Sequence, residues 1–355
     1  MTDLGKLIGK DESTTIEYKA VMPTSRSLAR NICAFANSEG GCIFIGVKKD
    51  VEGKINIVGL SNDFHINTIT HKAVDLLSTK PQIEYGYFDY ENKKVYAIQI
   101  EKSSELISLE GNVYVREGSS TITQNEIVNF SFKGFQKIKD LNEQLLTYIT
   151  HATEAKRQFI EHYQKILRIM DETGNILYPL GASVLTNSEE GNVMSRILFC
   201  SYVDNFETYL SNLLYEIYLS KPETLKSHQQ VSVKEVLDCG DMQEFIEYIA
   251  KEKIGKLQKG SVKGFIKENK QIQSLNAISD NEQDELEKIL QIRHLYTHRN
   301  GIVDEKFLKF FKTGFNINEE HRLSINDMCE IIGFLIEIVE KVDVAAIKLF
   351  NLGNN

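Results

Sequence analysis

Hydrophobic and polar positions along the first 130 residues follow the pattern of an α+β domain. Residues 15–19 (TIEYK) alternate as a strand does, and the apolar run CIFIGV at 42–47 is typical of a buried central strand. Between them, residues 25–38 carry apolar side chains at helical spacing, with Ser25 as the predicted cap and the adjacent glycines at 40–41 as the stop. This pattern predicts a mixed sheet with helices.

Two hairpins are predicted further along the same region. The alternating runs 82–90 and 94–100 flank a short polar turn at Glu91-Asn92. Residues 106–120 predict a second hairpin with its turn at Gly111-Asn112.

From about residue 135 the chain changes character, because strand-like alternation gives way to long helical patterns. Three segments each carry one apolar stripe at helical spacing: residues 194–220, 280–300 and 325–350. The predicted organisation has three parts: an α+β N-terminal domain at 1–130, a helical connector at 131–178 and an all-α helical-bundle domain at 179–355.

Composition narrows the class of protein without changing this outline. Of the 355 residues, 42% are hydrophobic and 26% charged, which is ordinary globular composition. No apolar run approaches the ~18 residues of a membrane span, and the N-terminus lacks a signal-peptide pattern, so we expect no membrane association.

The five cysteines form no CxxC pair, which argues against a disulfide framework or thiolate zinc site and favours a cytoplasmic protein. The net charge of −9 argues against a general nucleic-acid-coating function.

The segment QIRHLYTHRNGIVDEKF at 291–307 gathers four groups that can handle phosphate, namely Arg293, His294, His298 and Arg299. One interpretation is that cations only decorate a helix C-terminus, where the helix dipole favours them. The other interpretation is a catalytic site. Arg293 and His298 are five residues apart, which places them roughly 140° apart around one helix. A site that uses both must therefore lie at the helix end or draw groups from a second copy of the chain.

The six residues RHLYTH at 293–298 resemble the Arg-polar-x3-His signature of HEPN domains of the RiboL-PSP/MAE-like type. The continuation RNGIVDEKF at 299–307 is similar to the tail of that signature, and the resemblance extends more weakly over 190–350. It implies a helical bundle that forms a homodimer through the C-terminal domain and that cleaves RNA without metal or other cofactor. In that case His298 transfers protons and Arg293 binds the phosphate, since imidazole titrates near neutrality and guanidinium stays charged.

His294 has two interpretations within this resemblance. It supports the catalytic pair, or it is a half-buried residue packed between helices.

Three ordered segments of the N-terminal region resemble the Schlafen AlbA-like (divergent AAA-4) domain: ESTTIEYKA at 12–20, ICAFANSEGGCIFIGVKKD at 32–50 and YVREGSST at 114–121. The family binds nucleic acids, and animal Schlafens cleave structured RNA with a metal-bound acidic trio. The resemblance places Glu12, Glu17 and Asp50 at those acidic positions, where three carboxylates would hold Mg²⁺ or Mn²⁺. Solvated surface carboxylates are the alternative.

Several side chains are candidates for contact with nucleic acid. Polar and cationic groups that would donate to phosphate are Lys19, Arg116, Ser119, Ser120 and Arg299. Residues 116–121 are equally able to satisfy an ordinary turn.

The predicted function is a metal-independent endoribonuclease of the HEPN type with a Schlafen-like recognition domain, which leaves 2′,3′-cyclic phosphate ends. Such pairings suggest a toxin or anti-phage defence effector, with an antitoxin or a phage component as a further partner. Two alternatives remain open. One is a non-catalytic nucleic-acid-binding regulator. The other is a metal-dependent nuclease that uses the N-terminal acidic trio, with the helical domain serving only for dimerisation.

Overall fold

A computed structural model describes most of the chain. The described residues are 4–49, 54–60, 66–123, 132, 134–149, 152–221, 262–311 and 314–352, with isolated residues between 222 and 261. The chain divides into two compact units, which consist of residues 1–131 with 352–355 and of residues 132–351. The predicted fold class is confirmed, because a mixed sheet with helices is followed by a mostly helical region.

The N-terminal unit is built from short strands and two helices. The strands are β1 (Ile16–Lys19), β2 (Gly41–Ile45), β3 (Val47–Lys49), β4 (Ile55–Ile57), β5 (Ile83–Tyr90), β6 (Lys93–Ile100), β7 (Tyr114–Glu117) and β8 (Ser120–Thr123), and the helices are α1 (Ser25–Ala36) and α2 (Ile66–Asp75). Four strands form one sheet in the order β1-β2-β6-β5, whereas β3 pairs with β4 and β7 with β8. β1 runs parallel to β2 with α1 as the crossover, and the other pairings are antiparallel.

Helix α1 forms where the apolar spacing predicts it. Its N-cap is Thr24, whose hydroxyl oxygen accepts the Ser27 N–H at 3.3 Å, so the predicted cap at Ser25 is wrong by one residue. Leu28 and Phe35 are fully buried along one face. Beyond the helix, Gly40 has φ +73, which is a left-handed conformation that glycine adopts without strain.

The hairpin predicted at 82–100 is confirmed. Glu91 and Asn92 both adopt positive φ, at 50° and 61°, and connect β5 to β6. The predicted C-terminal boundary of the strand at 42–47 is wrong, because β2 ends at Ile45. Gly46 follows with φ +93, and its carbonyl accepts the N–H of Gly59 at 2.8 Å.

The second predicted hairpin is displaced along the chain. β7 pairs with β8 around Gly118, which has φ +59, and not around residues 111–112. The earlier turn exists only as a tight reversal in which the backbones of Leu109 and Asn112 exchange two hydrogen bonds. Both turns carry glycine, and the sequence pattern alone did not show which one separates paired strands.

The C-terminal unit is helical. Its helices are α3 (Gln136–Tyr148), α4 (Glu154–Glu172), α5 (Gly174–Leu177), α6 (Glu189–Ser220), α7 (Val262–Glu268), α8 (Lys270–Leu275), α9 (Asp280–Arg299), α10 (Glu305–Leu308) and α11 (Ile325–Phe350). The three long helices predicted from the apolar stripes are confirmed as α6, α9 and α11. α3 packs against α4 and α11, and α4 against α6, so the segment predicted as a connector contributes to this unit.

Helix α6 lies at the centre of the unit, where it packs against α4, α9 and α11. Its second half is buried nearly all round, which is the pattern of a core helix. Aromatic rings fill the contact with α4: Phe159 and Tyr163 lie 4.0 Å apart between centroids, and Tyr209 lies 5.8 Å from Phe159. The neighbouring face of α6 carries the polar side chains of the candidate site.

A buried carboxylate joins α4, α6 and α11. Asp343 on α11 accepts hydrogen bonds from the hydroxyl and the backbone N–H of Thr153, at 2.5 and 3.1 Å, where Thr153 caps α4. Tyr209 donates to the same carboxylate at 3.4 Å, and the Lys156 ammonium lies 3.8 Å away. Burial raises the pKa of Asp343 to about 6, although Lys156 and Thr153 oppose the shift.

Candidate functional site

Helix α9 begins and ends with strong local signals. At its start, the Glu282 carboxylate accepts the backbone N–H of Ser279 at 2.8 Å. At its end, Asn300 adopts a left-handed conformation with φ 50, and Gly301 follows with φ +85 and donates to the Leu295 carbonyl at 3.2 Å. These signals end α9 one residue after the RHLYTH motif, in which Leu295 and Tyr296 are buried and Thr297 and His298 are exposed.

The end of α9 is also held from outside. Arg196 on α6 donates from Nη1 to the Asn300 carbonyl at 2.7 Å and to the Glu320 carboxylate at 3.0 Å. The segment after α9 is held by His321, which is buried and lies 2.8 Å from the Tyr296 hydroxyl. Burial lowers the pKa of His321 to about 4, so this imidazole is neutral near pH 7.

Arg293 points from α9 toward α6. Its Nε and Nη2 atoms lie 2.7 and 2.6 Å from Oδ1 of Asp204, and Nη2 lies 3.7 Å from Oε2 of the buried Glu207. The guanidinium is therefore oriented by one exposed and one buried carboxylate. This geometry leaves Nη1 as the donor that is not used by these two acids.

His294 and His298 lie one turn apart on another side of α9. Their ring centroids are 4.6 Å apart and their planes are tilted by 54°. His298 is exposed and His294 is half-buried. Burial, together with the charges of Lys306 and His298, lowers the pKa of His294, which favours the neutral form of this ring.

The structure does not bring Arg293 and His298 together within one chain. Across the part of the chain that is described, no hydrogen bond, ion pair or ring contact joins them, in agreement with their separation around the helix. Arg299 is exposed, and its Nε lies 3.7 Å from Asp304, the residue that caps α10. One chain thus supplies an oriented guanidinium on one side of α9 and a pair of imidazoles on another.

A groove of about 970 Å³ lies between α4, α6 and α9. Its lining includes Asp204, the acidic partner of Arg293. Its polar walls include His162, Ser201, Asp204, Thr208, Thr297 and Asn300. His162 Nε2 lies 3.1 Å from the Ser201 hydroxyl. Val193 and Ile197 line one end with 46% and 62% of their surface exposed, which is unusual for a helix at the centre of a unit.

The N-terminal candidates form a different kind of cluster. Glu17 and Lys19 share one face of β1, and their charged groups lie 3.0 Å apart. Arg116 of β7 lies 2.9 Å from Glu17, donates to the Ser13 carbonyl at 2.8 Å, and places its guanidinium 4.6 Å from the centre of the Phe35 ring. All three charged side chains are buried. The cluster ties β1, α1 and β7 together.

The predicted acidic trio does not fit a magnesium or manganese site in the described residues. The Glu17 carboxylate is neutralised by two buried cations, which compete with any metal for its oxygens. Glu12 lies in the loop before β1, and its carboxylate accepts the backbone N–H of Tyr18 at 2.8 Å. Asp50 lies outside the described residues. No group of three or more histidine, cysteine, aspartate or glutamate side chains in the described ranges is arranged to hold a metal ion.

The predicted nucleic-acid contacts of the N-terminal unit divide into two sets. Lys19 and Arg116 are buried in the ion cluster and do not face solvent. Ser119 and Ser120 are exposed at the turn between β7 and β8, where their hydroxyls are accessible.

Sequence reasoning missed the acidic partners of Arg293. Asp204 and Glu207 stand three residues apart in α6, and the stretch DNFE at 204–207 interrupts the mostly apolar segment 197–219 with two acidic side chains. That interruption was the available signal, since charged residues within a core helix require partners. Nothing in the sequence around His162 distinguished it, because its groove is formed by helices distant in the chain.

Comparison with known proteins supports the N-terminal resemblance. Residues 12–125 match the family model described as Schlafen, AlbA_2, which suggests a nucleic-acid-related function for this unit. No protein of curated function matches the chain in sequence. None of the helices in the described parts of the chain has the length and apolar character of a membrane span.

Two solved structures show distant similarity. One is the crystal structure of the DIP2311 protein from Corynebacterium diphtheriae, with a TM-score of 0.27 and 14% identity, covering 54% of this chain and 38% of that one. The other is the solution NMR structure of the N-terminal domain of a RecG-related ATP-dependent DNA helicase protein from Nitrosomonas europaea. It gives a TM-score of 0.25 and 23% identity, covering 34% of this chain and 89% of that one. Both TM-scores are low.

Proposed function

We propose that the protein is a cytoplasmic, metal-independent endoribonuclease of the HEPN type, in which the Schlafen AlbA_2 unit recognises nucleic acid. The observation that carries the proposal is the end of α9. There, two acidic side chains orient the guanidinium of Arg293. The imidazole of His298, five residues further along the chain, is exposed. If these cations only interacted with the dipole at the C-terminus of α9, Arg293 would not need to be oriented against the neighbouring helix α6.

The chemistry needs a base, an acid and a cation. The 2′-hydroxyl of the RNA attacks the adjacent phosphorus, a base takes its proton, and an acid protonates the departing 5′-oxygen. The products are a 2′,3′-cyclic phosphate and a free 5′-hydroxyl. His298 transfers the protons, while Arg293 offers its donors to the phosphate oxygens. Asp204 holds Arg293 in place, and His294 has a supporting role beside His298.

We infer that two copies build the complete site. Within one chain Arg293 faces α6 and His298 faces away, so a second copy is needed to bring both kinds of group to one phosphate. Val193 and Ile197 support this arrangement, because they leave an exposed apolar surface in the groove that Asp204, the partner of Arg293, also lines. A homodimer through the C-terminal unit would cover that surface.

The N-terminal unit would then select or sense the nucleic acid. Exposed hydroxyls at Ser119 and Ser120 are available to phosphate oxygens, and Arg299 adds an exposed cation near the cleavage site. A role as a toxin or anti-phage effector, controlled by an antitoxin or a phage component, extends the proposal on the basis of the resemblance alone.

Cleavage of total RNA by the purified full-length chain tests the proposal. We expect cleavage that persists in EDTA, with 2′,3′-cyclic phosphate ends, because no step uses a metal. His298→Ala should lower the rate by at least about 100-fold, the usual contribution of a general acid or base. Arg293→Lys should also lower it, since lysine keeps the charge but loses the planar fork of donors. Lys288→Ala, an exposed change on the same helix, is the matched control.

Other outcomes select the alternatives. Cleavage that EDTA abolishes, and that depends on Glu12, would favour the metal-dependent nuclease. Retained RNA binding without cleavage under any condition would favour a non-catalytic regulator.

A further inference from the structure

The sequence contains eight histidines, of which only His294 and His298 stand four residues apart. The structure places both on one side of α9 in its last turns, with ring centroids 4.6 Å apart. Four residues is the helical spacing at which two imidazoles reach one metal ion, as in the helical His-x3-His pairs of zinc enzymes. His298 is exposed, so an ion from solvent has direct access.

We propose that His294 and His298 chelate one transition-metal ion of the Zn²⁺, Ni²⁺ or Cu²⁺ class, and that this ion inhibits RNA cleavage. Neutral imidazole is a preferred ligand of these three ions, whereas Mg²⁺ and Mn²⁺ favour oxygen ligands. The metal site depends on the geometry of the two rings alone. The inhibition rests in addition on the proposed function, since it assumes that His298 transfers protons.

The surrounding charges permit a cation at this position. Arg293 is paired with Asp204 and Glu207, and Arg299 lies close to Asp304, so both guanidinium charges are compensated. Lys306 is the strongest of the positive charges that act on His294, Arg293 acts in the same direction, and the carboxylate of Asp304 opposes them.

Two protein ligands predict reversible binding. Structural zinc sites use four ligands, and among the described residues no third histidine, cysteine or carboxylate completes such a set here. Water would occupy the other positions. A weakly held ion suits control of an activity better than support of a fold.

We expect inhibition of RNA cleavage because the metal ion binds the lone pair of the imidazole nitrogen that would otherwise accept a proton. An imidazole nitrogen bound to a metal cannot accept the proton of a 2′-hydroxyl, so a bound ion removes the base from the reaction. The predicted response is opposite to that of a metal-dependent nuclease, because added Zn²⁺ should slow cleavage and EDTA should restore it.

Isothermal titration calorimetry of the full-length chain with ZnCl2, NiCl2, CuCl2 and MgCl2 tests the site independently of activity. We expect one ion per histidine pair, tighter binding of Cu²⁺ than of Ni²⁺ or Zn²⁺, and none of Mg²⁺. His294→Ala and His298→Ala should each weaken binding by more than about tenfold, because each removes one of two ligands. His71→Ala, an exposed histidine in the N-terminal unit, should leave binding unchanged. Binding that both α9 variants retain at wild-type strength would overturn the proposal.

A parallel measurement of RNA cleavage separates the metal site from the proposed function. Inhibition by Zn²⁺ over the same concentrations that fill the site supports both. Metal binding that depends on the two histidines, in a protein that never cleaves RNA, leaves the site standing and removes the nuclease. Cleavage that continues at full rate with the site filled overturns the inhibitory role.

Discussion

Replacing Arg116 by alanine should destabilise the N-terminal unit. The Arg116 guanidinium is buried, lies 2.9 Å from the Glu17 carboxylate, donates to the Ser13 carbonyl and packs over the Phe35 ring. The sequence resemblance instead assigned Arg116 to nucleic-acid binding. The substitution therefore distinguishes a residue that holds the fold from one that contacts a ligand.

The size of the effect follows from the partners that remain. Removing one member of a buried ion pair costs about 3–5 kcal/mol, because the other charge stays buried without compensation. Lys19 remains 3.0 Å from Glu17 and compensates part of that charge. We therefore expect a loss of about 3 kcal/mol, at the lower end of that range.

Hydrogen exchange measured by mass spectrometry is the suitable assay, because it reports on one unit of a two-unit chain. A loss of this size should accelerate exchange of the protected amides in β2 and β6 by roughly 100-fold. Amides of α6 in the other unit serve as the internal reference. Arg26→Ala is the matched control, since Arg26 forms an exposed ion pair with Glu110 in the same unit and should leave exchange nearly unchanged.

The reasoning would be refuted if Arg116→Ala exchanged like Arg26→Ala. If the same variant then bound RNA more weakly while remaining as stable as the wild type, the assignment of Arg116 to nucleic-acid binding would be correct.

Three further outcomes follow from buried groups and close backbone contacts. The lowered pKa of His321, about 4, makes stability rise with pH between about 4 and 6.5, because the unfolded chain binds the extra proton there. The raised pKa of Asp343, about 6, acts oppositely between about 3.8 and 6, because the folded chain then holds the extra proton. The free energy of unfolding, measured by urea denaturation at pH 4.5 and 5.5, tests both shifts. His321→Gln should lower the slope of this free energy against pH by about 1.4 kcal/mol per pH unit, and Asp343→Asn should raise it by the same amount. Unchanged slopes would contradict both assignments. Gly40→Ala should cost more stability than Gly111→Ala in thermal unfolding. Both have positive φ, but an added Cβ at Gly40 would lie 2.7 Å from the Ile100 carbonyl oxygen, whereas the space at Gly111 is open; equal costs would refute this reasoning.

Patterns of local sequence predicted much of the fold. The apolar stripes of α6, α9 and α11 gave the long helices because burial against neighbours repeats at the helical period. Glu91-Asn92 gave the β5–β6 turn because a short polar connection between alternating strands closes a hairpin. The pairing of β7 with β8 did not follow, since two glycine turns competed and tertiary contacts decided between them.

The candidate site was predictable only in part. The RHLYTH motif identified Arg293 and His298 because both stand in one continuous segment. Their opposite orientations also followed from helical geometry. The role of Asp204 did not follow, because it depends on α6 packing against α9 over a separation of 89 residues. The burial of Arg116 could not be predicted from the sequence either, because its partners on β1 and α1 lie far away along the chain.

The hydrogen bond from Arg196 to the carbonyl of Asn300, the C-cap residue of α9, should limit motion at the end of that helix. The final turn of a helix normally opens and closes rapidly, since its carbonyls have no partners inside the helix. Here a side chain from α6 holds Asn300, the residue directly after that turn, so the spacing of the two imidazoles should depend on a residue that need not touch any ligand. Substitutions at position 196 should loosen both rings at once, and a second change that restored the contact would recover them together.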